Sequence, residues 1–362
     1  MEIYILDKSF NKLKILDECQ SILWVDRFNK PGEFELYLGA DEILLQYLKI
    51  GYYLYQKTSE HLMIIESITV ETDTVDEDHF IIKGRSIESI LGRRIVWKRT
   101  DINDTKVQTA VKRLLNENVI SPEDTSRRIT EVIFQDNSDS RLDALKMDGQ
   151  YTGDNLLDVI TDICDTFKIG FKMILNDNNQ FVFSLFVATD RSYDQDTETY
   201  VIFSPKFDNI LNTSYFETDE KYKNVTLVMG DGEDEDRKRY VVGTVSGLER
   251  RELYTDARDI SSKDPEDPEQ EIPLTEYNKL LEQRGKEKLE ETKKEKTFEA
   301  KLDPYQTFQY GRDFFIGDIV QVRNEFGVEG SARIVEYIMS ESANNGLEHY
   351  PTFEAIQEDA EE

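Results

Sequence analysis

The sequence predicts a mainly β protein with an α+β insert: two small antiparallel β-barrels of related topology flanking an α+β domain. Three observations predict it. Period-two alternation of apolar residues marks both ends of the 362-residue chain. Helical spacing replaces it in the second hundred residues. A glycine–strand–turn–strand pattern near the N-terminus also recurs near the C-terminus.

In the first hundred residues, Phe34, Leu36 and Leu38 alternate with Glu33, Glu35 and Tyr37, as in a strand with one buried face. Ile22 to Phe28 is its partner run, and Asn29-Lys30-Pro31-Gly32 supplies the turn of a hairpin. Further strands are expected at Tyr52 to Gln56, Leu62 to Glu71 and His79 to Lys83. A short helix follows with Ser86 as N-cap and Ile87, Ile90 and Leu91 inward. Strands at this spacing predict a small barrel or sandwich.

Val107, Ala110, Val111, Leu114 and Leu115 then fall on one helix face. A second helix carries Leu156, Ile160, Ile163, Cys164 and Phe167, opening near Asp154 and stopping at Gly170. Strands at Ile129 to Phe134, Phe171 to Leu175 and Phe181 to Val187 complete an α+β unit. Beyond Tyr200 strands resume at Val201 to Phe203, Asn224 to Met229 and Arg239 to Ser246. Asp256 to Pro273, with Pro265, Pro268 and seven acids, reads as a solvated, mobile loop. Glu276 to about Lys296 reads as a charged helix with a thin seam of Tyr277, Leu281 and Leu289. The sequence does not decide whether this helix packs on its own chain or on another. Strands return at Phe314 to Arg323, Ala332 to Met339 and His349 to Phe353, and Glu358 to Glu362 form a solvated tail.

The recurring pattern begins at Gly51, whose strand leads after fifteen residues to the Glu66 of Ile64-Ile65-Glu66-Ser67-Ile68. Gly317 leads after nineteen to the Glu336 of Ile334-Val335-Glu336-Tyr337-Ile338. Four extra turn residues account for the offset. The echo reads either as a duplication or as one edge-strand pattern arising twice. The expected domains are therefore a first β-barrel at 1–98, an α+β domain at 99–200 and a second β-barrel at 201–255 and 297–357. An acidic loop and charged helix at 256–296 are inserted in the second barrel.

Composition excludes several functions. Lys and Arg number 44 against 74 Asp and Glu, a net charge of −30. Such a chain repels phosphates, which excludes tight nucleic-acid binding. The longest uncharged run, Asn178 to Thr189, is twelve residues, too short to span a bilayer. The start, Met-Glu-Ile-Tyr-Ile-Leu-Asp, lacks the basic and apolar regions of a signal peptide. Cys19 and Cys164 are distant in sequence and lie in apolar patterns, as buried free thiols do.

Catalytic signatures are missing from the sequence. His61, His79 and His349 lie in or beside strand patterns, outside any zinc-binding spacing. The phosphate-cradling glycine loops and the G-x-S-x-G elbow do not occur. Among so many acids, paired carboxylates carry no information. Asp231-Gly232-Glu233-Asp234-Glu235-Asp236 misses the EF-hand positions for its glycine and its twelfth-position Glu, and reads as a solvated hairpin tip. No catalytic residue, cofactor or metal ligand is expected.

Four segments together point to a family. The hairpin Phe28-Asn29-Lys30-Pro31-Gly32-Glu33-Phe34 resembles the start of tail hub proteins from phages and prophages of Gram-positive bacteria. Gly84-Arg85-Ser86-Ile87-Glu88-Ser89-Ile90-Leu91-Gly92-Arg93-Arg94 and Tyr222-Lys223-Asn224-Val225 are similar to later parts of the same proteins. So is Gly311-Arg312-Asp313-Phe314-Phe315-Ile316-Gly317-Asp318-Ile319-Val320. These proteins are the hub part of the tail-associated lysin family. The resemblance implies a baseplate-hub fold and a homotrimer at the virion tail tip, made in the host cytoplasm. It implies docking on the hexameric distal tail ring, an axial channel for tape-measure protein and DNA, and a downstream fibre or receptor-binding protein. No stable membrane insertion is expected, since no uncharged run is long enough to span a bilayer.

Two other functions remain open at this point. One is a cell-wall-degrading tail enzyme, a peptidase or glycosidase, which requires a concave site and a carboxyl of raised pKa. The other is a carbohydrate- or receptor-binding module, which requires a surface row of Tyr or Trp among the 19 Phe, 18 Tyr and 2 Trp. Within the hub reading, Phe314, Phe315 and Ile316 are consecutive in an expected strand, so at least one faces outward as a candidate subunit contact. Asp231, Glu233, Asp234, Glu235 and Asp236 are candidates for a channel or surface face.

Overall fold

The computed structural model describes all residues except 17–18, 73–77, 266, 268, 303–307 and 357–362. Pro268, residue 357 of the expected second barrel and the Glu358 to Glu362 tail lie outside the described residues.

Alternation builds the first part as expected. Strands β1 (Ile3–Leu6), β2 (Lys12–Leu16), β3 (Ser21–Arg27), β4 (Glu33–Gly39), β5 (Tyr53–Gln56), β6 (Met63–Glu71) and β7 (His79–Ser86) pair in the order β3-β4-β7-β6-β5-β1-β2. The short helix α1 (Glu42–Leu45) is capped by the Asp41 side chain. Phe34, Leu36 and Leu38 are buried on β4. Ser86 does not cap a helix: its Oγ accepts from the Gly32 N–H at 2.8 Å, and Ile87–Arg93 is a 3-10 turn. Ile87, Ile90 and Leu91 are nonetheless buried.

The middle part contains β8 (Thr100–Lys106), α2 (Val107–Leu115), β9 (Val132–Phe134), α3 (Ser140–Asp143), β10 (Lys146–Tyr151), α4 (Leu156–Phe167), β11 (Gly170–Leu175) and β12 (Phe181–Phe186). Asn155 caps α4 by accepting from the Leu157 and Asp158 amides. Its apolar face, with Cys164 fully buried, joins one core with α2, β11 and β12. This core also holds Leu62, Ile64 and the Ile87–Leu91 turn of the first part.

The third part begins with β13 (Ile202–Phe203) and β14 (Ile210–Thr218). Next come β15 (Val225–Met229), β16 (Arg239–Val242), β17 (Glu252–Asp256) and α5 (Leu274–Glu290). The chain ends with β18 (Glu295–Leu302), β19 (Ile319–Arg323), β20 (Glu329–Ser342) and β21 (Gly346–Ala355). The mainly β architecture with an α+β insert is as the sequence predicts, but the two β halves share one sheet. Thirteen strands run β14-β18-β21-β20-β3-β4-β7-β6-β5-β1-β2, with β19 on β20 and β13 on β19. Neither half closes into a barrel among the described pairings. The reason lies at the β20–β3 junction, where Met339 faces Trp24. This pair merges the inner faces into one core containing Trp24, Met339, Phe34, Phe203, Phe298 and Phe353.

Two expected boundaries move. β15, β16 and β17 form a sheet of their own, with α5 packed through Tyr277, Leu280 and Leu281 against Val228. Residues 225–256 therefore lie with the charged helix, outside the large sheet. The expected mobile loop is also partly packed, because Ala257 and Ile260 are buried in that small core. The helix stops at Glu290, and Glu295–Leu302, unmarked by clean alternation, is a strand. α5 packs in cis, against α4 and β10.

The internal echo is a structural repeat, shifted from the sequence alignment. Gly51 N–H donates to Ile65 C=O and Gly317 N–H to Ile334 C=O, each at 2.8 Å. Both glycines have positive φ, 81° and 90°. A bulge follows between Ile65 and Ser67 on β6 and between Ile334 and Glu336 on β20. Ile65 thus corresponds to Ile334, and the intervening turn is longer by three residues, not four. The register continues through the sheet: Phe34 faces Gly84 and Trp24, while Phe298 faces Phe353 and Tyr215. Strands β3-β4-β7-β6-β5 match β14-β18-β21-β20-β19 one for one.

Candidate assembly surface

A strand with a free edge displays unpaired N–H and C=O groups, and monomeric proteins usually blunt such edges with Lys, Pro or short length. β2, at one end of the large sheet, carries Lys12 and Lys14. β14, at the other end, is nine residues long and has neither Lys nor Pro. Among the described residues it pairs only with β18, and it exposes Leu211, Tyr215 and Phe216. The Thr213 hydroxyl donates to Glu325 at 2.8 Å, which brings the exposed Phe326 beside this edge. β6 also has a free stretch. β5 covers Met63 and Ile64, leaving the outer edge of Ser67 to Glu71 open among the described pairings.

The sheet face turned away from the core is charged and acid-rich. Arg27 bridges Glu33 at 2.8 Å and Glu336 at 2.6 Å, and Lys83 pairs with Glu35 at 2.6 Å. Lys301 pairs with Glu348 on the same face, and Glu295 and Glu299 alternate with the buried Phe298 and Ala300.

The residues singled out from sequence fall in two separate places. Phe314, Phe315 and Ile316 lie in a turn before β19 instead of a strand, because Tyr310 and Phe314 bridge and Asp318 accepts from the Phe315 N–H at 3.1 Å. Phe314 is fully buried against Phe203, Tyr310 and Tyr337. Ile316 packs on the same core, and Phe315 is exposed. The acidic stretch turns the β15–β16 hairpin of the small lobe, away from the strands of the large sheet. Asp231 is structural: it accepts from Ser262 Oγ at 2.8 Å and from the Gly232 N–H at 2.8 Å. Burial opposes its charge, but these bonds outweigh burial and hold its pKa below the usual range. Glu233, Asp234, Glu235 and Asp236 are exposed.

Sequence reasoning missed a buried polar junction. Asp26 on β3 accepts from Ser59 Oγ at 3.0 Å and from Tyr310 Oη at 3.1 Å. His61 Nδ1 lies 3.0 Å from Glu88 Oε1, which also accepts from the Met173 N–H at 2.8 Å. Both sheet halves and β11 of the α+β part meet here. Burial disfavours charge on His61, yet Glu88 and Asp26 prevail and push its pKa up to about 9. Burial raises the Asp26 carboxyl, whereas His61 lowers that of Glu88 against burial. Ser59 donates to a carboxylate instead of a histidine, and the cluster pins both sheet halves to the α+β part.

A second carboxyl cluster lies where α5 meets α4. Glu287 accepts from Tyr151 Oη at 3.1 Å, and Asp162 is pushed up to about 7, mainly by burial. The clefts lined by Pro205, Ile210 and Glu325, and by Leu23, Glu66 and Arg85, contain none of these raised carboxyls. Among the described residues, no group of three or more His, Cys, Asp or Glu is placed to hold a metal. No helix among them is long and apolar enough to cross a membrane.

No curated protein matches the sequence significantly. A tail protein from Neisseria meningitidis MC58 superposes with a TM-score of 0.59 at 13% identity, covering 98% of this chain and 96% of that one. The 43 kDa tail protein of prophage MuSo2 from Shewanella oneidensis gives 0.59 at 12% identity, covering 99% and 98%. Prophage tail protein gp18 from Listeria monocytogenes EGD-e gives 0.54 at 14% identity, covering 99% and 96%. At such identities these likenesses establish the fold, which is that of phage tail proteins. The family described as Siphovirus ReqiPepy6 Gp37-like protein matches residues 2–353, nearly the whole sequence, and the chain belongs to that family.

Proposed function

We propose that this chain is a structural tail-tip, or baseplate, hub of a phage or phage-derived particle. Three copies form a ring that closes the tail tube, docks on the hexameric distal tail ring and connects to a downstream fibre or receptor-binding protein. The observation that carries this reading is the repeat of five strands within one open sheet. Two equivalent units per chain give a trimer six equivalent positions, which suits a sixfold partner. Family membership and the tail-protein fold support it.

In this reading the charged face of the large sheet lines an axial channel that holds tape-measure protein and later passes DNA. Its excess of glutamates favours that use, because acidic walls repel phosphates. The exposed Phe315 is a contact with a neighbouring copy, and the acidic hairpin tip lies on the outer surface. The units are a first β half at 1–98, an α+β part at 99–200, a second β half at 201–219 and 295–356, and a lobe at 220–294. The host is Gram-positive, and the hub works without catalysis or a cofactor.

Light scattering of the purified chain, together with a wall-lysis assay, tests the proposal. A particle of about three times 42.3 kDa that leaves wall substrate intact is expected. Release of wall fragments by the isolated chain favours the degrading-enzyme reading instead.

A further inference from the structure

We propose that the face formed by Arg93, Arg94, Ile95, Trp97, Arg127 and Arg128, beside the start of α4, docks a short acidic segment of another protein, one with apolar residues among its carboxylates. The face belongs to the single chain, so docking there is independent of the ring reading.

Two segments build this face. The first is zipped to the start of α4: Leu156 N–H donates to Arg94 C=O at 3.0 Å, Val96 N–H to Asp154 C=O at 2.9 Å and Gly153 N–H to Val96 C=O at 2.8 Å. Val96 is fully buried, and alternation turns Ile95 and Trp97 outward, 40% and 59% exposed. A reciprocal clasp adds the second segment. Arg94 Nε donates to Arg127 C=O at 2.8 Å, and Arg127 Nη2 donates to Ile95 C=O at 2.8 Å. The Arg127 guanidinium lies 4.8 Å from the centre of the Trp97 ring, which braces it through a cation–π contact. Arg94 and Arg127 are thus held in place before a partner arrives, which lowers the ordering cost of binding.

What the face lacks is negative charge. Elsewhere arginines meet carboxylates: Arg85 reaches both Glu66 oxygens at 2.8 and 2.9 Å, and Arg284 both Asp259 oxygens at 3.2 and 2.8 Å. Arg93, Arg94, Arg127 and Arg128 form no ion pair among the described residues, in a chain with 74 Asp and Glu against 44 Lys and Arg. The nearby carboxylates are engaged, Glu123 with Lys98 and Asp124 with Ser126, whose N–H and Oγ donate at 3.0 and 2.7 Å. Like charge accumulates instead. Burial and the adjacent Arg94 hold the Arg127 pKa below its ordinary value, over the opposing pull of Asp124. Guanidinium forks bind carboxylates two hydrogen bonds at a time. Ile95 and Trp97 fit apolar side chains on the same segment, which a phosphate polymer does not offer. At physiological salt, charges beyond about 8 Å are screened, so a short segment meets these arginines and not the net −30 of the chain.

Trp97 supplies the readout. The chain has 2 Trp and Trp24 is fully buried, so acrylamide quenching of its fluorescence reports on Trp97. The probe is the peptide Glu-Glu-Phe-Glu-Glu-Leu-Glu-Glu, unlabelled for quenching and fluorescein-labelled for anisotropy, added to the full chain. It is expected to bind saturably, to shield Trp97 from acrylamide and to lose affinity in high salt. The same peptide with Gln in place of every Glu is expected to change neither signal. The exposed side chains of Arg93 and Arg128 donate no hydrogen bond among the described residues, so replacing them leaves folding intact. The chain carrying both Arg93→Glu and Arg128→Glu is expected to bind the peptide about tenfold more weakly, with unchanged circular dichroism. No saturable binding by the parent chain, or equal binding by that variant, overturns the proposal. Tighter binding of inorganic polyphosphate than of the peptide overturns the acidic peptide as occupant. Light scattering of the variant separates this docking from the ring. An unchanged mass with weakened peptide binding supports the proposal, whereas a lower mass than the parent's means that a second copy covers the arginines and overturns it.

Discussion

Replacing Asp162 by asparagine probes how the inserted lobe is held. Asp162 lies on α4 against α5, and burial is the largest influence on its carboxyl, followed by Lys288, which lowers the pKa, and Glu287, Glu291 and Asp165, which raise it. The net effect moves the pKa from an ordinary 3.8 to about 7. A tenfold change in an acid dissociation constant corresponds to about 1.4 kcal/mol, so the penalty for holding the charged form has a ceiling of about 4 kcal/mol. Partial solvent access screens it, and about 2 kcal/mol is the working value. Between the two pKa values the folded chain binds more protons than the unfolded one, so stability falls as pH rises from about 4 to 7. The penalty is complete above pH 7. Asp162→Asn stays neutral throughout. It is therefore expected to be about 2 kcal/mol more stable than the parent at pH 8 and nearly equal to it at pH 4. Guanidinium unfolding at both pH values, with amide exchange in α5, measures this. A variant less stable than the parent at pH 8, or one offset equally at both pH values, refutes the reasoning. The first outcome means that Lys288 holds Asp162 as a stabilising ion pair; the second means that the Asp162 carboxyl titrates alike in the folded and unfolded chain.

Other perturbations address the remaining joints. His61→Ala leaves Glu88 and Asp26 buried without their cation and is expected to cost about 3–5 kcal/mol at pH 6, read from denaturant midpoints. Because the folded pKa of His61 is raised, its contribution is full below about 6.5 and disappears as pH rises through about 9. The His61→Ala penalty should therefore shrink between pH 6 and 9.5. Gly317→Ala puts a Cβ 2.3 Å from the Phe28 ring at positive φ, whereas Gly51→Ala meets only the end of Lys8 at 3.3 Å. Thermal unfolding should show Gly317→Ala as the more damaging, with Gly51→Ala costing about 1 kcal/mol. Leu281→Ala empties the small lobe core and is expected to cost about 2–5 kcal/mol, seen as faster amide exchange in β15 to β17 with the large sheet unchanged.

Legibility in the sequence followed burial geometry. β4 and α2 were readable because a half-buried strand and an amphipathic helix imprint their periods directly. β14 was invisible for a physical reason: it is exposed on both faces, so Asn212, Ser214, Tyr215 and Phe216 show no alternation. That same exposure makes it the candidate contact. The lobe was misassigned because β15 and β16 have ordinary strand patterns, and pattern alone does not state which sheet a strand joins. The repeat was detectable through Gly51 and Gly317, but its register needed the bulges, which sequence identity at Glu66 and Glu336 misplaced by one residue. The Asp26–His61–Glu88 junction joins residues far apart in sequence, and nothing local marks them.

The most direct test of the central claim is a cryo-electron microscopy reconstruction of the assembled particle. The account predicts three copies around an open axial channel, with the glutamate-rich face of the large sheet inward. Copies that contact one another through the β15–β17 lobe instead, or a particle without a channel, contradict it.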